Sequence, residues 1–132
     1  MLLNNYQGVF RLAKKRRINH DENLKVALLE RFENMAFDDY MNKDHENELE
    51  LYNFLCALDF ETVKVLQTLM YLGRDKDYNG NLTSKNIYLE ERRYFDNQIG
   101  WKTKEIEINQ MVEKLPLDEY LEEALKILRI NL

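Results

Sequence analysis

Apolar residues recur along this chain at spacings of three and four, the period of an α-helix, and the pattern divides into seven segments. The first runs roughly from Tyr6 to Arg17, with Val9, Phe10 and Ala13 on one side and a basic cluster at its end, where cations suit the helix dipole; Gly8 is its weakest point. Asp21 is placed to cap a second helix reaching about Tyr40, with Leu24, Ala27, Leu28, Phe32, Met35 and Ala36 at helical spacing. The period then lapses through Asp38, Asp39, Asn42, Lys43, Asp44, His45, Glu46 and Glu48, which reads as a solvated connection. Stretches 46–58 and 60–72 come next, and neither has a clean polar face. Leu51, Phe54, Leu55 and Leu58 share one side of the former, and Leu49, Tyr52 and Cys56 the other. In the latter, Val63, Leu66 and Met70 oppose Val65, Leu69 and Leu72, between an Asp59 N-cap and a Gly73 C-cap. Helices apolar around their whole circumference need neighbours on several sides, so these two are predicted at the centre of the fold.

After a polar loop, Thr83 or Ser84 caps a fifth helix with Ile87, Tyr88, Tyr94, Phe95 and Ile99 inward, and Gly100 stops it. Thr103 caps a sixth, with Ile108, Met111, Val112 and Leu115 inward. Pro116, Asp118 and Glu119 suit the start of the last helix, whose stripe is Leu117, Leu121, Ala124, Leu125 and Leu128. Tyr120, Ile127 and Ile130 lie beyond that stripe. They predict a second contact, to a partner or another copy of the chain, with Arg74 as a further partner-surface residue. The expectation is one all-α domain over residues 1–132, a compact irregular or orthogonal bundle of about six to seven helices; a four-helix up-down bundle is the alternative.

Composition supports this reading. The chain has 132 residues, 45% hydrophobic and 33% charged, with one Pro and four Gly, as suits packed helices rather than a turn-rich sandwich or a disordered tract. A single cysteine excludes an intramolecular disulfide, and within an apolar helical pattern Cys56 reads as a buried, inert thiol. No apolar run approaches the length of a membrane span. The opening residues lack the features of a signal peptide, so the cytoplasm is the expected compartment.

Two stretches, Leu69-Met70-Tyr71-Leu72-Gly73-Arg74 and Leu115-Pro116-Leu117-Asp118-Glu119-Tyr120-Leu121, carry a resemblance. A helix ending Leu-Met-x-Leu-Gly-Arg, and after it a Leu-Pro-Leu-x-x-Tyr-Leu helix, resembles an uncharacterised bacterial family of small helical proteins over the C-terminal half. That resemblance implies a helical fold and a bacterial or mobile-element source, with no activity to transfer.

Charge is uneven. The net charge is −5, yet the first 20 residues hold Arg11, Lys14, Lys15, Arg16 and Arg17 without an acid; the remainder carries 14 basic against 24 acidic side chains. The basic cluster is the candidate nucleic-acid contact, opposed by an acidic body. Asp75 to Asn86 resembles the calcium loop of EF-hand proteins. Asp75, Asp77 and Asn79 stand at the first three oxygen positions, Gly80 at the turn and Asn81 at the carbonyl position, but Asn86 replaces the bidentate Glu, which weakens calcium as the implied cofactor. The alternative is a polar turn with Asn-Gly at its tip.

His20 and His45 belong to no metal or nucleophile motif, and the pairs Glu90-Glu91 and Glu122-Glu123 read as solvated faces. No Gly-rich phosphate loop occurs, and no catalytic residues are assigned. Tyr71, Tyr78 and Trp101, near or in loops, are suited to a rim or an anchor. The expected function is a non-catalytic interaction or regulatory module, with nucleic-acid association and weak cation binding as competitors; Arg74 with Asp75 and Asp77 is the first place to look for a site.

Overall fold

The computed structural model describes residues 2–29 and 34–131, with side chains described at all of these except 2, 23, 26–29 and 34–41. Six α-helices pack against one another, and no strand occurs among the described residues. They are α1 (Leu2–Leu29), α2 (Asn34–Cys56), α3 (Phe60–Asp75), α4 (Ser84–Arg93), α5 (Lys104–Val112) and α6 (Leu117–Ile127), with a π-helical turn over Tyr94–Ile99 continuing α4. The expected irregular all-α bundle is therefore observed. None of the described helices is long and apolar enough to cross a membrane.

The first half corrects the predicted boundaries. Asp21 does not start a helix, because α1 runs through it for 28 residues, and the polar stretch 38–48 is helical within α2 rather than a connection. Neither Pro nor Gly interrupts either stretch, so lack of an apolar face did not mean lack of a helix. Polar and apolar contacts together join the two helices. His20 Nδ1 lies 3.0 Å from Asp44 Oδ1, Lys15 pairs with Glu50 at 3.2 Å, and Gly8 sits under the Phe54 ring. As the α1 partner moves from 20 to 15 to 8, the α2 partner moves from 44 to 50 to 54, so the pair is antiparallel. Leu24 is partly exposed, and Ala27, Leu28, Phe32, Met35 and Ala36 lie outside the described side chains.

The helix α3 is central, as expected. Five successive residues, Leu66 to Met70, are buried, which spans more than a full turn and leaves that segment no solvated face. Asp59 caps its start, accepting from the Thr62 N–H at 3.2 Å. Gly73 is not its C-cap: the helix continues to Asp75, and Lys76 adopts the left-handed conformation instead. The absence of a side chain at Gly73 has another cause. A Cβ there would stand 1.8 Å from the Tyr120 carbonyl oxygen and 3.0 Å from the Ala124 nitrogen, so Gly73 lets α3 and α6 cross backbone to backbone. Stretch 46–58 is less central than predicted. Leu51 and Leu55 are buried, whereas Leu49 is 47% exposed and Cys56 is solvent-facing. Burial on one side suffices because α1 and α5 approach α2 from that side.

Thr83 and Thr103 cap α4 and α5, accepting from the N–H groups of Asn86 and Ile106. The π turn shifts the helical phase beyond α4: Phe95 is buried while Tyr94 and Ile99, both predicted inward, are 51% and 56% exposed. Its closing bond runs from the Gly100 N–H to the Phe95 carbonyl, five residues back. Of the predicted stripe of the last helix, Leu117, Leu121, Ala124 and Leu128 are buried and Leu125 is half-buried against the core.

Candidate functional site

Two concavities stand out, one apolar and one polar. The apolar groove, about 470 Å³, lies where α1, α3, α4 and α6 meet. Leu3 and Tyr6 come from α1, Val65 and Leu69 from α3, Tyr88 from α4, and Leu125, Leu128 and Ile130 from α6 and its exit. Ser84 and Lys85, in the first turn of α4, complete the lining, which presents almost no polar surface. Lys85 is the groove's single cationic side chain and makes no ion pair among the described residues. Burial, and then Glu122 and Asp118, push the Tyr6 phenol up to about 12, so it stays protonated.

The polar cleft, about 370 Å³, lies between α3, the π turn and α5. Tyr71, Phe95 and Trp101 form an aromatic wall, with ring centroids 5.0 Å apart for Tyr71 and Phe95 and 5.5 Å for Phe95 and Trp101. Its deep side holds Glu107, which is 5% exposed, beside Gln110. The fully buried Gln67 amide bridges these two, its Nε2 donating to Glu107 Oε2 at 2.9 Å and to Gln110 Oε1 at 3.1 Å. Tyr71 Oη donates to Gln110 Oε1 at 3.3 Å, and the Lys102 N–H donates to Glu107 Oε1 at 3.2 Å. Gln67 Oε1 is buried with no hydrogen-bond partner among the described residues. Around the mouth stand Arg74, Asp75, Glu91, Tyr94 and Lys102. Burial first, then Asp75 and Asp77, raise the Glu91 carboxyl above its ordinary value, so Glu91 is not the freely solvated residue the sequence suggested.

The external face of the wall is an ion network. Arg92 donates to Glu61 at 2.7 Å and Asp96 at 3.0 Å, and its guanidinium lies 5.6 Å from the Trp101 ring. Trp101 Nε1 also donates to Asp96 Oδ1, and this bond together with Arg92 holds the Asp96 carboxyl below its ordinary range.

The predicted partner residues do not form one surface. Ile130 lines the groove, whereas Arg74 lines the cleft, its guanidinium 4.6 Å from the Tyr71 ring and 2.8 Å from Asp75. Tyr120 and Ile127 are half-buried against the core, because the α3–α6 crossing draws them in. The basic cluster is divided too. Arg16 is 4% exposed and donates to the Val112 and Lys114 carbonyls, closing the C-terminal end of α5. Arg17 grips buried Asp118 at 2.9 Å. Arg11, Lys14 and Lys15 face solvent, and Lys15 is paired with Glu50.

In the loop that resembles a calcium site, Asp75 is held by Arg74, and Asn79 Oδ1 accepts from the Asn81 N–H at 3.0 Å, as in a polar turn. The Asn86 N–H points to its Thr83 cap, and Asp77 contributes its charge toward Glu91. Among the described residues, no three His, Cys, Asp or Glu side chains are gathered to hold a metal.

Tyr71, Arg74, Asp75 and Trp101, singled out from the sequence, do meet in the cleft, whereas Asp77 and Tyr78 do not line it. Glu91, Glu107, Gln67 and Gln110 were missed as a group. The available signal was a polar residue on a buried row: Gln67 within an all-round apolar helix, and Glu107 beside Ile108 and four residues before Met111. Compared with known proteins, the chain matches no family model, no curated protein and no solved structure.

Proposed function

We propose that this protein is a non-catalytic interaction module whose working surface is the apolar groove, and that its occupant is the apolar face of a partner's amphipathic helix carrying an acidic residue. The observation that supports this is the groove itself: a concavity about 470 Å³ in volume, bounded by four helices and walled mainly by apolar side chains, with Leu3 and Ile130 exposed at its margins. Water against such a concavity is displaced favourably by apolar side chains, the mode in which a helix docks into a groove. Lys85, exposed at the border of the groove where α4 begins, favours an acidic residue at that end of the partner helix. The family resemblance, the bacterial source and a reducing compartment belong to the same reading. Nucleic-acid binding is the weaker reading because Arg16 and Arg17 are engaged within the fold.

Affinity capture from the native cells with mass spectrometry tests this, using the wild type beside Ile130→Asp, Leu3→Asp and Lys85→Glu. The expected result is a polypeptide retained by the wild type and lost with either Asp variant, each of which keeps its helical circular dichroism. Lys85→Glu weakens retention. Capture indifferent to all three substitutions overturns the reading, as does a bound fraction released by nuclease. A concentration-dependent dimer abolished by Ile130→Asp would replace the partner with a second copy of the chain.

A further inference from the structure

The polar cleft is chemically distinct from the groove and has its own unmet requirement. Its deep side is rich in acceptors. Glu107 is almost wholly buried, yet no cation pairs with it among the described residues, and its neighbours are the neutral N–H donors of Gln67 and Lys102. A buried carboxylate without a counter-charge is costly, and two neutral donors offset only part of that cost. Glu91 adds a second carboxylate without an ion pair among them. The charged side chains lining the cleft are Asp75, Glu91 and Glu107 against Arg74 and Lys102, and Arg74 is already committed to Asp75. One positive charge is missing.

The wall shows what the rest of a ligand would look like. Tyr71, Phe95 and Trp101 present ring carbon rather than polar groups, and the first and last of these already have guanidinium groups of the chain beside them. The rings are therefore suited to an apolar stem, while the carboxylates take the charge. The backbone is also unusual here. The π turn over Tyr94–Ile99 turns Phe95 into the cleft while leaving Tyr94 and Ile99 at its open edge, and such turns recur at binding sites.

We propose that this cleft binds a small organic cation, a primary ammonium on an apolar stem, with its N–H groups directed to Glu107 and Glu91 and its stem lying against Tyr71, Phe95 and Trp101. This site is independent of the groove, and neither proposal depends on the other. A volume of about 370 Å³ accommodates such a molecule. The protein carries its own reporter, since Trp101 is the single tryptophan of the chain.

The test is titration of the full chain with phenethylammonium, monitored by Trp101 fluorescence and by calorimetry, with 2-phenylethanol as the neutral isostere and 3-phenylpropanoate as the anionic one. Saturable binding of the ammonium is expected, with the alcohol weaker by roughly tenfold to hundredfold, the ratio lost with a charge-assisted hydrogen bond. Glu107→Gln, which keeps shape and removes charge, is expected to weaken the ammonium by a similar ratio and leave the alcohol unchanged. Because Glu107 is buried, Glu91→Gln at the mouth serves as the variant that leaves the interior intact, and it too weakens the ammonium selectively. Three results would overturn the proposal: no saturation with any amine, equal binding of amine and alcohol, or preference for the carboxylate.

Discussion

Replacing Gly73 with Ala forces a single methyl group into the backbone-to-backbone crossing of α3 and α6. The added carbon would sit 1.8 Å from the Tyr120 carbonyl oxygen, where ordinary contact begins near 3.4 Å, so α3 and α6 must separate locally by roughly 1.6 Å. Both sides of the contact are backbone, so no side chain can rotate away. Among the described residues this is also the most extensive helix pairing, and a gap of that size forfeits much of the dispersion attraction across it. Overpacking of this kind costs about 3 kcal/mol, and the better helix propensity of Ala returns about 1 kcal/mol, leaving a net loss of about 2 kcal/mol. Tm should fall by roughly 8 °C, with a matching shift in the urea midpoint read by far-ultraviolet circular dichroism. Gly8→Ala is the control. Its Cβ would stand 2.2 Å from the tip of the Phe54 ring, but that ring can turn aside, so the propensity gain offsets the clash and stability stays within about 1 kcal/mol of wild type. If Gly73→Ala were as stable as wild type, the backbone-to-backbone crossing would be refuted.

Other expectations rest on the same geometry. Arg16→Ala removes two charge-assisted bonds to the Val112 and Lys114 carbonyls and leaves both oxygens short of donors, a loss of about 3 kcal/mol in urea unfolding. Glu91 has a raised pKa in the fold, so its contribution to stability is fully present below the ordinary carboxyl value of 4.5 and is lost as pH rises through the folded-state value. Glu91→Gln should therefore be at least as stable as wild type at neutral pH, with the advantage closing as pH falls toward 4.5; an advantage that grows on acidification would contradict this. Cys56 is exposed, so the native protein should react with a disulfide-exchange reagent as fast as it does in urea, and protection in the native state would return the thiol to the interior.

Much of the second half was legible in the chain because its signals are local. Asp59, Thr83 and Thr103 bond to backbone N–H groups three residues away, so short spacing suffices to identify each cap. The α6 stripe is a product of helical periodicity alone. The first half misled for an equally physical reason. Residues 38–48 have no apolar face, and periodicity cannot detect a helix whose contact to its neighbour is polar, as where His20 Nδ1 of α1 lies 3.0 Å from Asp44 Oδ1 of α2. Gly73 reads from sequence as a cap because glycine so often ends a helix, and only the position of Tyr120 shows that space, not conformation, is what it supplies.

By itself the sequence determined the helical class, the caps of α3, α4 and α5, the buried stripe of α6 and the central place of α3, since each depends on residues within a turn or two of one another. Tertiary structure alone decided which charges are working parts of the fold and which are left without a charged partner among the described residues. Arg16 and Arg17 look alike with Lys14 and Lys15 along the chain, yet Arg16 closes the end of α5 and Arg17 holds Asp118, about a hundred residues away. Glu107 and Gln67 likewise meet only because α5 lies against α3, and the π turn places Phe95 in the same cleft as Glu107. Partners so distant in sequence are chosen by packing, and no local pattern encodes them.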